Sequence, residues 1–260
     1  MADVVLAERT DSLLTITLNR PDVLNAIDVA LAEALAAAVE MAADDAVRCV
    51  VLRGKGRAFL AGGDIGAFHH DVERAGEVAD AIITPFHRAI EGVRRLPKPV
   101  IAELHGAVAG AGLSLALAAD LALAAEDTVF TLAYSAIGAS PDGGSTYHLP
   151  RILGLRRAFE IAALSDRFGA AQALEWGLIN RVVPAERLGA ETAAMAERLC
   201  GGPTAAYGRL KALLAASTGD GLTDQLDRER RAFVAGAAGE DFREGVSAFV
   251  EKRVPRFRGR

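Results

Sequence analysis

Alternation of apolar and polar residues marks the first strand of the chain. Residues 12–18 (SLLTITL) alternate with a period of two, which is typical of a half-buried strand. Residues 48–52 and 100–104 are almost continuously apolar, as strands are when both of their faces are covered. Shorter segments of the same kind follow at 121–124 and 129–131. These patterns predict a sheet that is buried on both sides.

Apolar residues recur at helical spacing between these strands. Asp28 can cap a helix that continues to about residue 43 with leucine and valine on one face. A second helix is predicted over 78–96, and a helix of small residues near 113–119. From residue 156 onward the pattern is almost wholly helical, apart from a short strand-like segment at 180–183. Strands that alternate with helices, followed by helices alone, predict an α/β core with a helical C-terminal region.

The composition is that of a folded chain, with 51% hydrophobic and 24% charged residues. With 29 basic against 34 acidic residues, the net charge of −5 argues against generic binding to nucleic acid or to an anionic membrane. The most apolar segment, 100–125, is interrupted by charged residues and glycines, so we expect no membrane span. The first residues lack the pattern of a signal peptide. We therefore expect a soluble cytoplasmic protein.

Cys49 and Cys200 lie far apart in a predicted strand and a predicted helix. We expect them to be free thiols in a reducing compartment. No histidine or cysteine has a partner at the spacing of metal ligands, so no metal site is expected.

Three glycine-bearing segments are the candidates for chemistry: 57–65 (RAFLAGGDI), 105–114 (HGAVAGAGLS) and 137–146 (IGASPDGGST). The first two follow predicted strands, where exposed backbone N–H groups can hold developing negative charge. The third carries a carboxylate, Asp142, just before another helix. None of the segments fits a dinucleotide fingerprint or a phosphate-binding GK[ST] motif. Two N–H turns and one carboxylate are more informative together than any one of them alone.

The order and spacing of these segments resemble the enoyl-CoA hydratase/isomerase (crotonase) family across the whole chain. The matching motifs are LNRPDVLNA at 18–26, AFLAGGD at 58–64, PKPVIA at 97–102, the segment 105–120, PDGGST at 141–146, ALEWGLIN at 173–180 and EGVSAFVEK at 244–252. The resemblance implies an α/β spiral of ββα units that binds acyl-CoA (residues 1–200) and a helical region for trimerisation (residues 201–260). It also implies acyl-CoA thioester substrates, a homotrimer or hexamer, and no metal or redox cofactor.

The resemblance assigns binding roles to particular residues. The N–H groups of Ala61 and Ala111 become the oxyanion hole that holds the thioester oxygen. The coenzyme A contacts correspond to Leu24, Ala26, Ala61 and Asp64, with Phe249 and Lys252 as C-terminal contacts lent by a neighbouring subunit.

The catalytic side chains depart from those of a hydratase. Ser114 and Tyr134 occupy the positions of the two glutamates that activate water, and neither is a useful base at neutral pH. Asp142 stands where some family members carry another carboxylate. This segment resembles the bacterial epoxyphenylacetyl-CoA isomerases, in which that aspartate moves a proton along the substrate. We therefore expect an isomerase with Asp142 as acid/base.

Two alternatives remain open. In an aryl-CoA dehalogenase or hydrolase Asp142 would be the nucleophile, with His87 at the histidine position and Tyr134 in place of a tryptophan. In the other alternative the chain binds acyl-CoA without catalysis, because both glutamates are absent. In every case the acyl pocket is expected to be lined by residues from the helix and loops that face Asp142: His69, Ile82, Phe86, His87, Ser114, Tyr134 and Ile137.

Overall fold

The computed structural model describes residues 3–70 and 72–260, and within them ten strands and ten α-helices. The strands are β1 (Val5–Thr10), β2 (Leu13–Leu18), β3 (Cys49–Gly54), β4 (Ala58–Leu60), β5 (Val100–Leu104), β6 (Ala107–Ala109), β7 (Leu121–Ala125), β8 (Val129–Thr131), β9 (Phe168–Gly169) and β10 (Arg181–Val183). The α-helices are α1 (Val29–Met41), α2 (Ile65–His70), α3 (Ala75–Arg95), α4 (Ala111–Ala118), α5 (Ser145–Leu164), α6 (Ala170–Glu175), α7 (Leu188–Cys200), α8 (Thr204–Ala216), α9 (Leu222–Ala237) and α10 (Glu240–Glu251).

The larger sheet has the order β1-β2-β3-β5-β7-β10. Strands β1 and β2 form an antiparallel hairpin, and every other neighbouring pair is parallel. Val50, Leu52 and Ile101 are almost fully buried, as their continuously apolar segments predicted.

The smaller sheet has the order β4-β6-β8-β9 and consists of strands of two or three residues. Strands β4, β6 and β8 are parallel to one another, and each follows directly on a strand of the larger sheet. The chain therefore repeats a unit of one strand in each sheet followed by a helix, with α3, α4 and α5 closing the units that begin at β3, β5 and β7. The carboxyl ends of β4, β6 and β8 come to lie along one edge, and this edge positions the candidate site.

The predicted helices are confirmed with shifts of a few residues at their ends. Asp28 caps α1 by accepting a hydrogen bond from the Leu31 N–H at 2.8 Å. Helix α3 ends before the Pro97–Pro99 segment, as expected. Helix α5 is broken at Gly154, whose backbone angles (φ 75°, ψ 163°) are not helical.

The C-terminal helices α8 to α10 contain no strand between them and leave many apolar side chains in solvent. Phe233 is 69% exposed and Phe249 is 86% exposed. The buried Lys211 of α8 attaches this region to the core, since its Nζ donates to Asp120 Oδ2 and to the Val93 carbonyl, both at 2.7 Å. The boundary at residues 200/201 stays a prediction.

Cys49 and Cys200 are both free, as expected; Cys49 is buried and Cys200 is half-buried. None of the helices in the described residues is long and apolar enough to cross a membrane.

Candidate active site

A cavity of about 720 Å³ opens at the carboxyl ends of β4, β6 and β8. Its walls are mostly apolar, and α3 supplies one of them. The expected lining residues that the structure places there are His69, Ile82, Phe86, Tyr134 and Ile137, together with Ala61, Ala111 and Asp142. His87 and Ser114 are not part of the lining: His87 lies on the exposed side of α3, and Ser114 is wholly buried beneath the loop that carries Asp142.

The segments after β4 and β6 bring Ala61 and Ala111 to the same cavity. Their close approach requires Gly112, because a Cβ at that position would lie 2.0 Å from the Leu60 carbonyl oxygen. The Ala111 N–H belongs to the first turn of α4, and no acceptor for it occurs among residues 3–70 and 72–260. The Ala61 N–H instead donates to the Leu24 carbonyl at 3.1 Å. One of the two expected oxyanion donors is thus available, and the other already has an intramolecular acceptor.

The turn that presents the Leu24 carbonyl is held by Asn25, a residue to which the sequence had given no role. Both Leu24 (φ 54°) and Asn25 (φ 58°) are left-handed. The fully buried Asn25 amide donates to the Ala58 carbonyl at 2.8 Å, and its Oδ1 accepts from the Arg20 N–H at 2.8 Å. Asn25 therefore joins the 20–26 turn to β4.

Arg20 fixes the other side of the same turn. Its guanidinium donates to the Ala26 carbonyl at 2.5 Å and pairs with Asp28 at 3.1 Å and Asp64 at 3.4 Å. Leu24, Ala26 and Asp64, the expected coenzyme A contacts, are thus parts of one hydrogen-bonded assembly beside the cavity.

Asp142 is held by Tyr134 and Ser114, the two residues expected at the positions of the hydratase glutamates. Tyr134 donates its hydroxyl proton to Asp142 Oδ1 at 2.6 Å, and Ser114 donates to the Asp142 backbone carbonyl at 2.9 Å. Asp142 Oδ2 has no hydrogen-bond partner in the described part of the chain. Burial, followed by the nearby Asp142 charge, raises the pKa of Tyr134, so its hydroxyl stays a donor.

The residue after Asp142 is packed too tightly for any side chain. Gly143 has φ +60°, and a Cβ there would lie 2.7 Å from both Phe86 Cε1 and Ser114 Cβ. Its N–H donates to His87 Nε2 at 3.1 Å.

His148 lies in the first turn of α5, and its backbone N–H donates to the Gly144 carbonyl at 3.0 Å. A Cβ at Gly144 would lie 3.7 Å from the His148 ring. Burial, with smaller effects from Arg94 and Arg151, lowers the pKa of His148 to about 4. No pattern in the sequence indicated this burial, because His148 interrupts no apolar run.

Phe249 and Lys252, the expected C-terminal contacts to coenzyme A, do not lie in the cavity of their own chain. Phe249 lines a separate apolar groove formed by α8, α9 and α10, and Lys252 is an exposed residue at the end of α10. No cluster of three or more potential metal ligands occurs within residues 3–70 and 72–260.

Comparison with known proteins agrees with this architecture. The sequence profile of the family described as enoyl-CoA hydratase/isomerase matches residues 8–260. A solved structure of an enoyl-CoA hydratase from Polaromonas sp. JS666 is 35% identical, with a TM-score of 0.93 over 98% of this chain and 99% of the other. The expected α/β fold is thereby confirmed.

Three curated relatives are named for three different reactions. The 1,2-epoxyphenylacetyl-CoA isomerase of Escherichia coli K12 is 36% identical over 100% of both chains. A probable enoyl-CoA hydratase of Rhodobacter capsulatus is 40% identical over 97% of both chains. The 4-chlorobenzoyl coenzyme A dehalogenase-2 of Arthrobacter sp. is 31% identical, covering 96% of this chain and 91% of the relative. Overall similarity therefore does not determine which of these reactions the chain catalyses.

Proposed function

This chain belongs to the enoyl-CoA hydratase/isomerase family, and from that premise we propose that it isomerises the acyl group of a coenzyme A thioester with Asp142 as acid/base. The environment of Asp142 is the main support for this proposal. It is the one carboxylate among the cavity-lining residues of the described chain, and both former glutamate positions contribute hydrogen bonds to it.

The proton transfer needs a single carboxylate. Asp142 Oδ2, which is free of protein partners among the described residues, takes a proton from a carbon of the acyl group, and the electrons pass to the thioester oxygen. The resulting enolate returns to the thioester when the same carboxylate delivers the proton to a second carbon. The double bond has then moved and Asp142 is regenerated.

The enolate oxygen would be held by the N–H groups of Ala111 and Ala61. The first is already free, and the second must share or release the Leu24 carbonyl when the thioester binds. One such donor typically contributes about 10²–10³ in rate, so the proposal depends on both.

Hydration is not expected from this site. A hydratase of this family activates water with two carboxylates, and Asp142 alone does not provide that pair; at the other two positions the Ser114 hydroxyl is committed to the Asp142 carbonyl. Tyr134 is no substitute, because its raised pKa keeps the phenol protonated at neutral pH.

Coenzyme A would bind along Leu24, Ala26, Ala61 and Asp64. Phe249 and Lys252 would complete the site of a neighbouring subunit, because they lie outside the cavity of their own chain. The exposed apolar side chains of α8 to α10 support a homotrimer or hexamer as the functional unit. We propose no metal or redox cofactor, since proton transfer and thioester binding do not need one.

The test is a panel of acyl-CoAs offered to the wild type and to Asp142→Asn. The panel contains straight-chain enoyl, ring-bearing and 4-halobenzoyl members, with Asp127→Asn, an exposed aspartate, as the matched control. We expect the wild type to isomerise at least one member. Asp142→Asn should lose that turnover while its affinity for the ester stays within about twofold. An Asp142→Asn variant that retains full turnover contradicts the proposal.

The same panel decides between the alternatives. A dehalogenase would release halide from the 4-halobenzoyl ester: the Asp142 carboxylate adds to the ring carbon, halide leaves, and water hydrolyses the aryl ester. Halide release that disappears in Asp142→Asn would replace isomerisation as the assignment. Tight binding of the panel without turnover of any member would instead identify a non-catalytic binder.

A further inference from the structure

The peptide bond between Asp142 and Gly143 is hydrogen-bonded on both of its sides. Its carbonyl oxygen accepts from Ser114 Oγ at 2.9 Å and from Ser145 Oγ at 3.1 Å. Its N–H donates to His87 Nε2 at 3.1 Å. This peptide begins at the Asp142 Cα, so its hydrogen bonds restrain the position from which the Asp142 side chain extends.

His87 is an unusual partner for a buried N–H. It lies on the exposed side of α3, does not line the cavity, and makes no hydrogen bond to the Asp142 carboxylate. To accept from Gly143, Nε2 must be unprotonated, so a neutral ring carries its proton on Nδ1. The interaction thus uses His87 as an acceptor and not as a donor.

Without this acceptor the peptide loses its restraint on one side. Gly143 is buried, so an N–H without an acceptor there is costly, and the peptide can lower this cost by shifting away from its Ser114 and Ser145 contacts. Such a shift would move the Asp142 carboxylate away from Tyr134. A misplacement of about 1 Å in a reacting group can cost on the order of 10² in rate.

We propose that His87 is a positioning residue, which orients the Asp142 carboxylate by accepting the Gly143 N–H and takes no part in proton transfer. The inference rests on the proposed role of Asp142 and goes beyond it, because it assigns a function to a side chain outside the cavity.

Three substitutions at His87 distinguish a hydrogen-bond acceptor from a group that carries a proton. The side-chain oxygen of His87→Gln lies as many bonds from Cα as Nε2 does, whereas that of His87→Asn is one bond shorter and His87→Leu has no acceptor. We expect His87→Gln to keep kcat within about threefold of the wild type. His87→Leu and His87→Asn should lose on the order of 10² in kcat, with unchanged affinity for the acyl-CoA. His70→Leu, at an exposed histidine outside the cavity lining, is the control and should match the wild type.

A second measurement does not depend on activity. Hydrogen exchange of the Gly143 amide, followed in the peptide that spans residues 137–149, should be faster in His87→Leu and His87→Asn than in the wild type and His87→Gln. A wild type that turns over no acyl-CoA would overturn the proposed function, yet the exchange rates would still decide whether His87 holds the loop.

Two results would overturn the inference. One is His87→Leu with wild-type kcat and wild-type exchange, which would show that the loop needs no acceptor. The other is His87→Gln with wild-type exchange but the kcat of His87→Leu, which would make His87 a proton carrier.

Discussion

Protonation of the buried His148 should make the protein lose stability in mild acid. The imidazole is 8% exposed, and burial together with Arg94 and Arg151 lowers its pKa to about 4 from an ordinary value of 6.5. The unfolded chain therefore takes up a proton at a higher pH than the folded chain does. The stability contributed by His148 is fully present above pH 6.5 and is lost as the pH falls toward 4.

The size of the effect follows from these two pKa values. Between pH 7 and pH 5 the unfolded state gains about 0.7 of a proton and the folded state about a tenth of one. The difference amounts to about 2 kcal/mol at 2.303RT per pKa unit. Screening by solvent at the exposed edge of the ring reduces this, so we expect about 1–2 kcal/mol.

Urea unfolding at pH 7 and pH 5, at one fixed protein concentration, measures the loss. His148→Gln cannot titrate, so the wild type should lose about 1–2 kcal/mol more than this variant over the interval. His70→Gln, at an exposed position, should behave as the wild type does. Equal losses in the wild type and in His148→Gln would refute the reasoning.

Three further substitutions test other parts of the structure. Lys211→Met should lower the free energy of unfolding, measured in urea, by about 2–4 kcal/mol, because it leaves the half-buried Asp120 without its ammonium partner. A loss below about 1 kcal/mol would show that the pair does not anchor α8. Asn25→Ala should cost about 2–4 kcal/mol in the same assay, since buried carbonyls lose their donor and a left-handed position acquires an alanine; an unchanged midpoint would be inconsistent with this. Gly76 lines the cavity, and a Cβ there would meet open space. Gly76→Phe should lower kcat/KM at least about tenfold for ring-bearing acyl-CoAs and leave that of four-carbon esters unchanged. Equal effects on both substrates would argue against an acyl group at that wall.

The longer elements could be predicted from the sequence because their patterns are local. Strand β5 and helix α1 have enough residues to show a continuous apolar run or a helical period, and Asp28 supplies a cap. Strands β4, β6 and β8 have three residues each, too few to show any period, and the sequence did not predict β4 and β6. The cavity nevertheless opens at the ends of these three strands.

The sequence pointed to several residues that line the cavity, but it could not show their contacts. The resemblance places Ser114 and Tyr134 at glutamate positions, which stays a prediction. Their hydrogen bonds to Asp142 span 28 and 8 residues and depend on how two loops meet. The role of Asn25 was missed for the same reason, since its amide reaches carbonyls more than 30 residues away. Likewise, no pattern in the sequence could show that the Ala61 N–H donates to the Leu24 carbonyl.

The two hydrogen bonds from Ser114 and Tyr134 to Asp142 have an evolutionary consequence. A lineage that restored glutamate at either position would remove one support of the aspartate and place a second negative charge beside it. With Asp142 displaced and the second glutamate still missing, such an intermediate would have neither arrangement intact. On the proposed mechanism, a stepwise change from one carboxylate to two glutamates would therefore pass through a protein in which neither arrangement is complete.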